Sequence, residues 1–72
     1  MARVTLVKLP ALTAWRIRQG LSQHDLAKAA SMSRFNVGRI ERGGETHPKR
    51  ALKLARALHC SIDDLMAGHS AS

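Results

Sequence analysis

Capping signals cut this chain into pieces too short for anything but a bundle of small helices. After Pro10, Gly20 stands at a helix stop, Ser22 and Ser33 at helix starts, Gly43-Gly44 at a second stop, and Pro48 and Ser61 at two further starts. Glycine closes helices because it accepts a left-handed backbone, and serine opens them because its hydroxyl satisfies an orphan N–H. Pro48 fits a first turn, where its missing N–H costs nothing. The apolar spacing agrees with these boundaries. Leu12, Trp15, Arg16 and Gln19 share one face of a first helix. Leu21 is placed as a hydrophobic staple, and Ser22 with Asp25 makes a near capping box. The second helix is expected from Gln23 to about Ala30 with Leu26, Ala27 and Ala30 inward, followed by a tight turn at Ser31-Met32. The third runs from Arg34 to Arg42 with Val37 and Ile40 inward, and the fourth carries Leu52, Ala55 and Leu58 inward. A short fifth holds Ile62, Leu65 and Met66 and stops at Gly68. The expected fold is all-α, five helices over residues 11–68 with a small polar tail at 69–72.

The first ten residues differ. Val4-Thr5-Leu6-Val7 is rich in β-branched residues and Pro10 ends the run, but an isolated strand is not stable alone. Two readings stay open for this arm: an extended segment, strand-like, or a partly ordered terminus.

Seventy-two residues, 44% of them hydrophobic, make one small domain with a core too thin for a roomy catalytic cleft. A net charge of +7 points to a polyanionic partner, nucleic acid first. The single cysteine, Cys60, allows no intrachain disulfide and no cysteine-based zinc cluster, which fits a reducing cytoplasm. No stretch approaches the roughly 18 apolar residues of a membrane helix, and the N-terminal run is a poor signal peptide.

The informative segment is Gln23 to Arg42. Two short helices joined by a three- or four-residue turn are the signature of the DNA-binding helix-turn-helix. Leu26, small Ala27, Met32, Val37 and Ile40 occupy its buried positions together, Ala27 being small where the helices cross closely. Leu12 to Gly68 resembles the Xre/Cro family of phage-type repressors, a five-helix, lambda-repressor-like DNA-binding domain. The resemblance is carried by Gly20-Leu21-Ser22-Gln23, Leu26-Ala27, Ile40-Glu41-Arg42-Gly43, Pro48, Leu58 and Asp63-Asp64-Leu65. It departs from the family at Ser31, where glycine is usual, and at Gly38 inside the recognition helix. Gly38 is read either as allowing close approach to DNA or as a tolerated surface residue.

The resemblance implies a sequence-specific regulator of double-stranded DNA, a repressor acting as a homodimer on a palindromic operator. Carried over position by position, the base readers fall on Arg34, Phe35 and Arg39, with Asn36 a weaker candidate. Arginine suits guanine through its paired donors, and an outward Phe35 suits a thymine methyl; a core phenylalanine is the alternative. Phosphate contacts fall on Gln23, Arg42, Lys49 and Arg50, and Lys49 is also a candidate for the minor groove. Residues 15–56 hold 10 of the 12 basic residues and 3 of the 5 acids, which favours a binding face over scattered solvated charge. The family's ion pair between helix 1 and the end of the recognition helix implies Arg16 with Glu41. The implied dimer contact is the helix 4–5 junction, here His59, Ile62 and Asp63, with the arm from Val4 to Leu9 as its rival. A different class of function is an interaction module, such as an antitoxin, whose partner is another protein, a toxin or polymerase.

Other letters carry little. His24, His47, His59 and His69 have no metal-ligand spacing, so no metal or other cofactor is expected. Ser22, His24 and Asp25 contain the residues of a hydrolytic triad, but one helical turn cannot align them as a relay. Nothing else points to an enzyme.

Overall fold

The computed structural model describes residues 5–67. The start of the arm, the expected stop at Gly68, the tail 69–72 and His69 lie outside the described residues. Five helices follow in order: α1 (Leu12–Arg18), α2 (Gln23–Ala29), α3 (Arg34–Glu41), α4 (Pro48–Ala57) and α5 (Ile62–Met66). The expected ends of the second and third helices, Ala30 and Arg42, are their C-caps.

Local chemistry sets these boundaries. The Ser22 hydroxyl accepts the Asp25 N–H at 2.9 Å while the Asp25 carboxylate accepts the Ser22 N–H at 3.1 Å, a full capping box. Ser61 and Asp64 repeat it at 3.0 and 3.1 Å, and the Ser33 hydroxyl accepts the Asn36 N–H at 3.1 Å. Ser31 takes the left-handed conformation (φ 56°) that its turn demands, and His59 does the same after α4 (φ 57°). That backbone costs a non-glycine residue about 1–2 kcal/mol, so packing must hold both turns in place.

The core is built by Leu9, Leu12, Leu26, Val37, Ile40, Leu54, Leu58 and Leu65, all fully buried, with Ala27, Ala30, Ala51 and Ala55 where helices approach closely. Each such aliphatic side chain contributes about 1.5–3 kcal/mol. One inward assignment is corrected. Leu52 is 41% exposed, and the buried stripe of α4 is Ala51, Leu54, Ala55 and Leu58. At 3.6 residues per turn, Leu52 sits about 100° around from Ala51, on the flank of the buried stripe. The ends of the bundle are tied by the Gln19 amide, which donates to the Leu58 carbonyl at 2.6 Å, and by the Ala11 N–H, which donates to the Leu65 carbonyl at 3.0 Å.

The arm is extended and docked. Val7 pairs antiparallel with Thr46, its N–H donating to the Thr46 carbonyl at 2.9 Å and its carbonyl accepting the Thr46 N–H at 2.8 Å. Leu9 then enters the core. This bridge joins the arm to the loop between α3 and α4 and buries the Thr46 hydroxyl, whose Oγ1 has no hydrogen-bond partner among the described residues. A buried unsatisfied hydroxyl costs about 1–3 kcal/mol, and valine has nearly the same shape with good strand propensity. Thr46→Val is therefore expected to stabilise the domain by about 1 kcal/mol, raising the melting temperature by roughly 4–8 °C in a circular-dichroism melt. A lower melting temperature would show that the hydroxyl finds a partner in solution.

Candidate nucleic-acid interface

α2 and α3 pack as a pair, and the N-terminal halves of both open onto one face. Gln23, Arg34, Phe35, Gly38 and Arg42 line a shallow hollow of about 240 Å³ there. Phe35 is 71% exposed at its edge. Val37 and Ile40 face the core, so the outward reading of Phe35 holds. A bare aromatic on a cationic surface is a poor choice for water and a good one for a flat or methylated surface that covers it. Asn36, half-buried, follows on the same helix.

Gly38 is the floor of this hollow. It is buried, and a Cβ built on it would stand 3.3 Å from Arg42 Nη1 and 3.7 Å from Gln23 Oε1. The surface-residue reading is thereby corrected. Glycine lets the Arg42 guanidinium and the Gln23 amide lie close across the helix, at an expected cost in helix propensity of about 1 kcal/mol.

Beneath the hollow lies the network that orients Gln23. Arg16 Nε donates to Glu41 Oε2 at 2.6 Å and Nη2 to Oε1 at 3.3 Å, while Nη1 donates to the Leu21 carbonyl at 2.8 Å. Gln23 Nε2 donates to Glu41 Oε1 at 2.9 Å. The two charged side chains are 14% and 7% exposed, so this is a largely desolvated pair rather than a surface one. Burial pushes the Glu41 carboxyl up, but the hydrogen bonds from Arg16 and Gln23 outweigh it and hold the group below its ordinary value. It is the one ion pair among the described residues. Arg34, Arg42, Lys49 and Arg50, all exposed, therefore have no carboxylate partner among the described residues.

Lys49 and Arg50 are exposed in the first turn of α4, outside the hollow. Arg39 turns back: its Nη1 donates to the Glu45 carbonyl at 2.9 Å, and its stem lies against Gly44.

A short helix pair, a buried small-residue crossing and an outward cationic second helix meet in one element, and a helix-turn-helix family model matches residues 12–65. The chain belongs to the Xre, lambda-repressor-like helix-turn-helix family. It is a DNA-binding transcription regulator. The restriction-modification controller protein C.AhdI from Aeromonas hydrophila is 38% identical, with a TM-score of 0.75 over 82% of this chain and 92% of that one. The P22 c2 repressor, solved with a synthetic operator, is 29% identical, with a TM-score of 0.76 over 89% of this chain and 98% of that one. The clp gene regulator ClgR from Corynebacterium glutamicum is 27% identical, with a TM-score of 0.76 over 83% and 66%. No curated protein matches the chain. No helix among the described residues is long and apolar enough to cross a membrane.

Within this helix-turn-helix frame the α4–α5 junction presents His59 and Asp63 exposed and Ile62 half-buried against its own core. Cys60 is half-buried beside them, and burial together with the nearby Asp64 carboxylate pushes its thiol up, away from the reactive thiolate. Trp15 packs on the core with Arg18 over its ring at 4.8 Å, a packing role rather than a stacking platform for bases. Two features of the site have no signature in sequence: the Gln23–Glu41 bond and the seating of Arg39 on Gly44. The glycine pair at 43 and 44 marks a helix stop, and only the fold reveals that Gly44 is needed for close approach.

Proposed function

We propose that this chain is a sequence-specific repressor that binds a palindromic operator as a homodimer in the cytoplasm. α3 enters the major groove with Arg34 and Phe35 at base edges and Asn36 beside them. Gln23, Arg42, Lys49 and Arg50 take backbone phosphates on either side, the first helped by the positive N-terminus of α2. The single observation that carries the reading is the bare Phe35, 71% exposed in a hollow otherwise walled by Gln23, Arg34, Gly38 and Arg42. Arginine offers guanine O6 and N7 two donors at once, and the phenyl ring offers a thymine methyl an apolar contact. One domain of this size covers one half-site, so two copies are needed for useful genomic discrimination. The surface proposed to join them is the α4–α5 junction at His59, Ile62 and Asp63. The arm is the weaker candidate, because Val7 is already paired with Thr46 and Leu9 is in the core.

The test is footprinting on the DNA upstream of the protein's own gene, followed by competition binding. Arg34→Ala is expected to lose about 1–3 kcal/mol on the protected site while nearly keeping its affinity for random duplex. Equal loss on both DNAs would move Arg34 from the bases to the backbone.

A further inference from the structure

We propose that Arg39 is a positioning residue: it does not read bases but fixes the α3–α4 loop, and through it the phosphate contacts at the start of α4. This rests on the DNA-binding reading and adds to it a role for a side chain that would otherwise pass as a third base reader.

Three observations place Arg39 on the loop. Its Nη1 donates to the Glu45 carbonyl at 2.9 Å. Its own carbonyl accepts the Gly44 N–H at 2.9 Å, so both ends of the residue hold the same short segment. A Cβ on Gly44 would fall 2.7 Å from Arg39 Nη1, 2.8 Å from Arg39 O and 3.0 Å from Cγ, so residue 44 has room only for glycine against both the side chain and the carbonyl of Arg39. The guanidinium also sits in the last turn of α3, where it meets the negative end of the helix dipole.

The residues after this seated segment give the bond its consequence. Thr46, next after Glu45, is pinned to Val7 by two backbone hydrogen bonds. His47 is then the N-cap of α4, with no side-chain cap of its own, and Lys49 and Arg50 occupy the first turn. The direction in which α4 begins is therefore set by a loop held at one end by Arg39 and at the other by the arm. Loosening it frees Lys49 and Arg50 to move relative to α3 without touching Arg34 or Phe35.

A double-mutant cycle tests this. Arg39→Ala removes the seat, and Gly44→Ala pushes residue 44 off both the side chain and the carbonyl of Arg39 with every charge kept. Arg39→Ala is expected to weaken binding to the footprinted operator and to random duplex by the same factor, roughly tenfold, and to lower the log–log salt slope by about 1 for each phosphate no longer neutralised. Gly44→Ala should lose at least as much, and the double variant should be no worse than Gly44→Ala alone, because the loop it displaces is the one that Arg39 seats. Arg39→Met keeps the stem and removes the donor together with its charge, so where Gly44→Ala does not fold it is read through amide exchange at Thr46, which loss of a direct phosphate contact would leave unchanged. Independently of DNA, amide exchange at Thr46 should speed up in both arginine variants.

Loss of operator preference with the salt slope unchanged would make Arg39 a base reader and overturn the proposal. Wild-type binding by folded Gly44→Ala would make Arg39 a direct phosphate contact and overturn it equally. Additive losses, unchanged exchange at Thr46, or a lowered melting temperature with unaltered DNA binding would each overturn it too. A wild-type chain that binds no duplex DNA overturns the underlying reading instead, which is a distinguishable result.

Discussion

Raising the salt from about 50 to 200 mM is expected to weaken operator binding by roughly 10³-fold if the protein binds as a dimer, and by roughly 40-fold if it binds as a monomer. In the proposed complex Arg42, Lys49 and Arg50 neutralise three phosphates per copy, and a two-fold complex would double the set. The proposed Gln23 contact carries no charge and would add little to the slope. Each neutralised phosphate releases condensed counterions, so the logarithm of affinity falls by about 0.9 per phosphate for each decade of salt. The cations involved are exposed and have no carboxylate partners among the described residues, so none of their charge is internally cancelled. Fluorescence anisotropy at several salt concentrations measures the slope. A slope near zero would refute the phosphate assignment, and a slope worth only one set of cations would refute the dimer. Lys49→Ala should reduce it by about 1 per copy on any sequence.

Glu41→Gln is expected to cost about 3 kcal/mol of stability, a fall of more than about 10 °C in melting temperature. The Arg16 guanidinium is only 14% exposed and would be left without its counter-ion, with only neutral acceptors, the Leu21 carbonyl at 2.8 Å and the new amide oxygen. Removing one member of a desolvated pair strands the other charge, whereas an exposed pair would cost about 0–1 kcal/mol. The substitution also removes the carboxylate that aims Gln23, so affinity for all DNA sequences should fall with stability. A variant melting close to wild type would show the pair to be unimportant.

The same carboxyl makes stability depend on pH. Its folded-state value is depressed, so its stabilisation is fully present above the ordinary carboxylate range near about 4.3 and is lost as pH falls through the lower, folded value. Asp25 behaves alike, held down first by the Ser22 backbone N–H and then by the Ser22 hydroxyl. The wild-type melting temperature should therefore drop between about pH 5 and pH 3, and Glu41→Gln should drop less over that interval.

Local features of this protein were legible in its sequence because their physics is local. Ser22 with Asp25, Ser33 with Asn36 and Ser61 with Asp64 each close a bond across three residues, and Gly20 and Pro48 act through their own backbone dihedrals. The five helices and the buried faces at Leu26, Ala27, Val37 and Ile40 follow from such spacing. The pairing of Arg16 with Glu41 came through the family resemblance, which is also carried by sequence. Tertiary structure alone decided which way the ambiguous residues turned. Leu52 and Leu54 are equally apolar in sequence, and only the packing of α4 on its neighbours buries one and exposes the other. The arm could have been loose; its capture needed Thr46, far along the chain, to offer a matching backbone edge. In sequence Arg39 reads as a base reader and Gln23 as a phosphate contact, and only the fold brings a loop carbonyl to the first and the Glu41 carboxylate to the second. Such bonds depend on where a following loop or another helix arrives, which residue spacing within a helix does not encode.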